Sequence, residues 1–245
     1  MKHPLFLLCI FPLTASVAVA DPFAVTSAHG NGSYYVLAQT THSTSSSSSS
    51  VDVYDLTGFS LDTGTYAEQI ENWDYSYDQF GGYDLYGNEI WITIHENQYE
   101  EARAEAHAFS QFTRSENLID TQVFASAQAN NSASGSMAFA YADASASAHL
   151  DLTFSLAANT TVELSSYSVS GGSFSLYRGI DLVMDAYTLV GLGGVMQTTL
   201  PAGSYSLVGD ASGGGADFHI AAVPEPASLA ALGLGLAAVL RRKRR

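Results

Sequence analysis

The chain of 245 residues has a single cysteine, Cys9, and it sits in an apolar leader. Once that leader is removed no thiol remains, so neither a disulfide framework nor a cysteine nucleophile is available. Cations are almost as scarce. Between Asp21 and Ala222 there are three, Arg103, Arg114 and Arg178, against 23 acids, a net charge of −20. That balance excludes nucleic acid as a partner, because such binding rests on cationic neutralisation of phosphate. It suits an extracellular, self-repelling protein or one that holds divalent cations. The usual signatures of catalysis are missing too: there is no G-x-S-x-G, no H-E-x-x-H and no G-x-x-x-x-G-K-[ST]. His95-Glu96 has no second histidine at helical spacing, and Glu100-Glu101 point to opposite faces of an extended chain.

What is present is clearest at the two ends. Met1–Ala20 combines Lys2, an apolar stretch from Leu5 to Leu13 and the small residues Ala18-Val19-Ala20, the pattern of a secretory signal peptide cleaved between Ala20 and Asp21. Leu8, before Cys9, is too large for a lipoprotein lipobox. The other end reads VPEPASLAALGLGLAAVLRRKRR from Val223 to Arg245. Pro224 and Pro226 fix φ, lack backbone donors and interrupt the preceding element. The uncharged run from residue 227 to 240 favours a helix of about 21 Å, a marginal span of a hydrocarbon core of roughly 30 Å. Arg241, Arg242, Lys243, Arg244 and Arg245 would remain on the cytoplasmic side, which places the body of the protein across the membrane.

This order of Pro224, Glu225 and Pro226, an apolar helix and a basic end resembles the PEP-CTERM sorting signal of Gram-negative bacteria. The resemblance covers under a tenth of the chain. It implies recognition and cleavage near the triplet by exosortase, a membrane transpeptidase, followed by delivery of an inner-membrane-anchored precursor to the cell surface or an exopolysaccharide matrix. Gly233-x-Gly235-x-x-Ala238 imitates a dinucleotide fingerprint, but no strand precedes it.

The body, residues 21–222, reads as one secreted domain: an all-β, antiparallel β-sandwich, jelly-roll-like, with short strands and Gly-rich turns. Asp21–Gly32 is expected to be an irregular lead-in, Ser33–Gln39 a strand and Val51–Thr57 its partner. Thr40–Ser50, with six serines in succession, is expected to be a loop between them. Glu89–His95 alternates as a strand. Alanine recurs at every second position in 102–108, 125–129 and 138–148, so period argues strand where propensity argues helix. For Glu100–Phe109 both readings stay open. Later, Gly171-Gly172 suggests a hairpin, Asp181–Val190 a strand, Leu200–Leu207 a turn delivering Tyr205 and Leu207 inward, Gly213–Gly215 a turn and Ala216–Ile220 the last strand.

Two candidate ligand sets stand out. Trp73, Tyr75, Tyr77 and Tyr83 lie among acids, the pairing with which a sugar-binding face covers pyranose rings and accepts hydroxyl hydrogen bonds, though exposed hairpins use it too. Asp74, Asp78, Asp84, Asp181 and Asp185 offer oxygens to Ca²⁺ without EF-hand or RTX spacing, and no other cofactor is indicated. The expected function is that of a non-enzymatic exported protein carrying a sorting signal. A carbohydrate-binding or adhesive module and a hydrolase without a known motif are the alternatives.

Overall fold

The computed structural model describes residues 21–167 and 169–223. Both the expected leader and the expected helix of the sorting segment therefore lie outside the described residues. Among the described residues there are eleven strands: β1 (Phe23–Thr40), β2 (Thr44–Tyr54), β3 (Gly58–Tyr83), β4 (Glu89–Ser115), β5 (Leu118–Ser134), β6 (Ala140–Leu156), β7 (Thr160–Ser165), β8 (Val169–Arg178), β9 (Asp181–Asp185), β10 (Val195–Leu200) and β11 (Gly203–Ala222). One short helix, α1 (Ala186–Gly191), interrupts them.

All pairings are antiparallel, in one sheet of order β2-β1-β6-β11-β5-β4-β3. The hinge of that sheet is β11. Its first half, Gly203–Ala211, pairs with β6 and β8, and its second, Gly214–Ala222, with β5 and β7. Between them the register slips at Ala211–Gly215, where the strand passes from one wall to the other. The sheet folds over so that β1 faces β3 and β4, and β6 faces β4 and β5. The antiparallel all-β expectation holds. In place of the two separate sheets expected of a sandwich, the strands form a single sheet, nearly closed on itself.

Alternation decides which side chains go inside. Phe59, Leu61 and Ala67 of β3, Ala102 to Phe112 at even positions of β4, and Leu150, Leu152, Phe154 and Leu156 of β6 are all buried. At the end holding β7 to β10 the core is large: Phe23, Phe154 and Tyr205 pack ring on ring, with Phe154 and Tyr205 stacked at 5.5 Å. Toward the other end it shrinks to Val36, Ala38, Ala67, Ala102, Ala104, Ala106 and Ala140. Small side chains let the walls approach. A Cβ on Gly30 of β1 would lie 2.4 Å from the Phe59 ring.

Several sequence expectations change for reasons of this packing. Gly30 and Gly32 are not an irregular lead-in but lie within β1, because its facing wall leaves no room for side chains there. The serine tract is not a loop. Thr44–Tyr54 is a regular edge strand whose backbone pairs with β1 from Gln39 to His29, so ladder bonds offset the entropy of its small polar residues. The turn between the two strands is only Thr41–Ser43. Glu100–Phe109 is strand, paired on both sides, so period wins over propensity. Gly171-Gly172 makes no hairpin; both lie inside β8, where a Cβ on Gly172 would strike the Gly215 backbone at 2.6 Å. The stretch 181–190 splits into β9 and α1, which starts where Asp185 caps the Thr188 amide at 2.6 Å. Gly213–Gly215 does not end a strand but bends the continuous β11. Tyr205 and Leu207 do point inward, as expected, with the Tyr205 hydroxyl donating to the Pro201 carbonyl at 2.7 Å.

Candidate functional site

The strands β3 and β4, of 26 and 27 residues, outrun every other strand. Their partners stop early: β5 pairs with β4 only as far as Tyr99↔Ser134, and β1 ends at Thr40. From Asp74 and Asn97 outward the pair is a two-stranded arm. Its root is where charged groups meet the closed part of the fold.

At that root Glu100 is wholly buried, yet its carboxylate is well supplied with donors. The Thr41 amide donates at 2.5 Å, the Thr41 hydroxyl at 2.6 Å and the Trp73 indole at 3.1 Å. Burial pushes its pKa up, but the bonds from Thr41, the Phe139 amide and Trp73 outweigh that and hold it below the ordinary glutamate range. Beside it, Glu71 accepts from the Ser43 hydroxyl and lies 3.3 Å from His42 Nδ1, and the Ser43 bond is the main reason its pKa is lowered. The β1–β2 turn is thus tied onto two acids of the opposite wall. The β5–β6 connection is tied the same way: the Ser136 hydroxyl donates to Glu96 at 2.5 Å and the Met137 amide to Gln98 at 3.0 Å. Gly135, at φ +120°, lets the chain pass close over Gln98, where a Cβ would collide at 2.0 Å.

The expected aromatic set divides across the arm. Trp73, Tyr75 and Tyr77 alternate along β3 on the face that continues the inner surface, all half-buried, with Tyr75 and Tyr77 stacked at 5.6 Å and Trp73 edge-on to Tyr75 at 6.2 Å. The Tyr77 hydroxyl donates to Glu96 at 3.3 Å. Tyr83 does not join them. A bulge between Phe80 and Gly82 slips the register, and Tyr83 packs at 5.2 Å on Phe80, which in turn meets Trp91 at 5.7 Å on the other face. A shallow cavity of about 360 Å³ lies beside Trp73, bordered by His42, Ile70, Glu71 and Asn72. The partners of Trp73, notably Glu100, were hidden from sequence because they lie 27 residues away and depend on strand register.

The five aspartates proposed for Ca²⁺ are not brought together. Asp78 accepts from Thr93, Asp84 is taken up by the amides of Tyr86 and Asn88 in the arm's turn, and Asp185 caps α1. Among the described residues no group of three or more His, Asp or Glu is placed to hold a metal ion.

A second polar cluster, missed in the sequence, crosses the outer face of β2, β1, β6 and β11. His149 lies between Asp210 at 2.7 Å and Asp151 at 2.8 Å, and His29 bridges to Asp52 at 3.0 Å. Burial alone would lower the pKa of His149, but the two carboxylates outweigh it and raise it. With both ring nitrogens engaged by acids, His149 cannot activate a neighbouring serine as a general base. It is a clasp between strands, and the cavity of about 580 Å³ beside it has no nucleophile poised on the imidazole.

Both ends of the described chain leave the fold at the end opposite the arm. Asp21 forms an ion pair with Arg114, which also donates to the Phe23 carbonyl at 2.6 Å. The Ala222 amide donates to the Asn117 carbonyl at 2.8 Å and the Val223 amide to the Thr161 carbonyl at 2.9 Å, so the chain is held until the residue before the Pro-Glu-Pro triplet. The triplet Pro224, Glu225 and Pro226 and the cations 241–245 lie outside the described residues, as does Ala20. Residues 222–245 match the family model of the PEP-CTERM protein-sorting motif. The sorting motif therefore begins at the last residue of β11. It marks the chain as an exported protein sorted by exosortase and processed at the membrane, of the Gram-negative type. No curated protein and no solved structure matches the chain.

Proposed function

We propose that this is a non-enzymatic surface or matrix protein of a Gram-negative bacterium, released from an inner-membrane precursor by cleavage near Pro224–Pro226. The observation that carries this reading is the sorting motif directly following a strand whose last amides are pinned to the body. That arrangement keeps the folded part close to the membrane enzyme. The intact mass of the protein recovered from the outer fraction of its own bacterium tests it. A C-terminus near the triplet, with or without an added group, is the expected result. A mass that extends to Arg245 would make residues 227–240 a permanent anchor and end the sorting reading.

A second reading, a carbohydrate-binding module, is favoured by one observation: the half-exposed row of Trp73, Tyr75 and Tyr77, bordered by acids and free of lysine and arginine. Tyr75→Ala is the cleaner probe, since Trp73 also supports the buried Glu100. Retention on insoluble polysaccharide that survives Tyr75→Ala and Tyr77→Ala together would remove this reading.

A further inference from the structure

The end of the arm carries more exposed apolar surface than its fold explains. Phe80, Tyr83, Leu85, Tyr86, Ile90, Trp91 and Ile92 are each at least 41% exposed, and Leu85 and Tyr86 almost fully so. Phe80, Tyr83 and Trp91 share one face of the ribbon and Ile90 and Ile92 the other, so both faces of the arm leave large apolar side chains open to solvent. A two-stranded ribbon is at best marginally stable in water, because half its ladder groups face solvent.

The two edges of this ribbon differ. The β3 edge is blunted by the bulge at Phe80–Gly82. The β4 edge is not. Beyond Tyr99 no strand among the described residues pairs with it, and Ile90–His95 reads Ile-Trp-Ile-Thr-Ile-His, six residues with no Asp, Glu, Lys, Arg, Pro or Gly and strong β-propensity. Such a segment on an open edge is the signature of strand self-pairing.

We propose that two copies of this chain pair through the free edge of β4, antiparallel, with Ile92 on the two-fold axis. In that register Ile90 of each copy lies opposite Ile94 of the partner subunit, Trp91 opposite Thr93 of the partner subunit, and Glu89 opposite His95 of the partner subunit. Glu89 then meets an imidazole and Glu96 faces Asn88 of the partner subunit, so no acid meets an acid. A shift by one residue in one direction places Glu89 against Glu96 of the partner subunit, and in the other it loses the Glu89–His95 pairing. The product is a four-stranded sheet that extends the apolar face and fills both inner edges.

The geometry has a directional consequence. Ile92 lies 23 residues from Ser115 along β4, about 78 Å at ~3.4 Å per residue. An antiparallel pair therefore holds its two bodies on opposite sides of the arm, with the two Ser115 ends roughly 150 Å apart. Resting on the sorting reading, this makes the contact a bridge between facing surfaces or matrix units rather than between neighbours on one membrane.

The pairing is tested on the full chain in detergent, with Cys9→Ser as background, and so does not depend on the fate of the tail. Ile92→Cys, at the axis, is expected to form a disulfide-linked dimer on mild oxidation, because facing Cα atoms in an antiparallel pair lie within disulfide reach. Leu85→Cys, fully exposed in the turn, is expected to cross-link at least tenfold less. Sedimentation of the Cys9→Ser chain is expected to shift from monomer to dimer with concentration, and Ile92→Lys to abolish the shift while leaving the melting temperature within a few degrees. A chain that stays monomeric at all concentrations, or equal cross-linking of Ile92→Cys and Leu85→Cys, would overturn the proposal.

Discussion

The two ends of this molecule use the same β pairing and opposite ways of holding it. At the end where the chain begins and leaves, buried Phe23, Phe154, Phe174, Tyr205 and Phe218 fill the space between the walls. Toward the arm the filling dwindles to alanine, and in the arm itself nothing lies between walls because there is only one. A buried Leu or Phe contributes about 1.5–3 kcal/mol and a buried methyl about 0.8. Stability must then be concentrated at the base. The alanine zone compensates by close approach and by side-chain clasps: Glu71, Glu96 and Glu100 hold the two turns that close it. Polar ties substitute for volume where volume is absent.

The sharpest way to break this contrast is at the base. Phe154→Ala removes a ring that stacks on Tyr205 and meets Phe23 edge-on, and it is expected to cost about 3–5 kcal/mol in urea unfolding. In the alanine zone the dangerous change has the opposite sign. Ala104 pairs with Ala67 of the neighbouring β3 and is buried, so Ala104→Leu is expected to overpack and cost about 1–3 kcal/mol, with the loss concentrated in amide exchange of β1 and β3 near residues 36–38 and 67. Uniform exchange throughout the chain would deny that the zone opens by itself.

The remaining two effects depend on pH and are smaller. Glu71, Glu96 and Glu100 have pKa values lowered by their donors, so their stabilisation is full above about pH 4.3 and is lost as pH falls through the lowered values. Glu100→Gln is expected to flatten acid unfolding monitored by Trp73 fluorescence, and an unchanged acid limb would show that the base, not the clasps, sets it. His149 titrates the other way. Its raised pKa makes its contribution full below about pH 6.5 and lost as pH rises through the folded value, so His149→Gln should level a slight decline in melting temperature above pH 6.5.

Legibility in the sequence followed how local each signal is. Strand period was visible at Ile90–Ile94, Leu150–Leu156 and the alanine runs because alternation is written in neighbouring residues. Even there the second run divides, with Ala125 buried but Ala127 and Ala129 exposed where β11 no longer accompanies β5. The serine tract misled because serine seldom stabilises a strand by itself; the partner strand β1 does so. The separation of Tyr83 from Trp73, Tyr75 and Tyr77 turned on one bulged residue, which no periodic reading locates.

By itself the sequence determined the all-β class, the alternation that turns Tyr205 and Leu207 inward, and the sorting tail, since each depends on residue types a few positions apart. Only the tertiary structure decided that two walls are one sheet joined through β11, that Glu100 is buried beside Thr41 and Trp73, and that β4 runs free beyond Tyr99. Those outcomes rest on register and strand length between residues far apart in the chain, which hydrogen bonding and packing fix only once the walls have met.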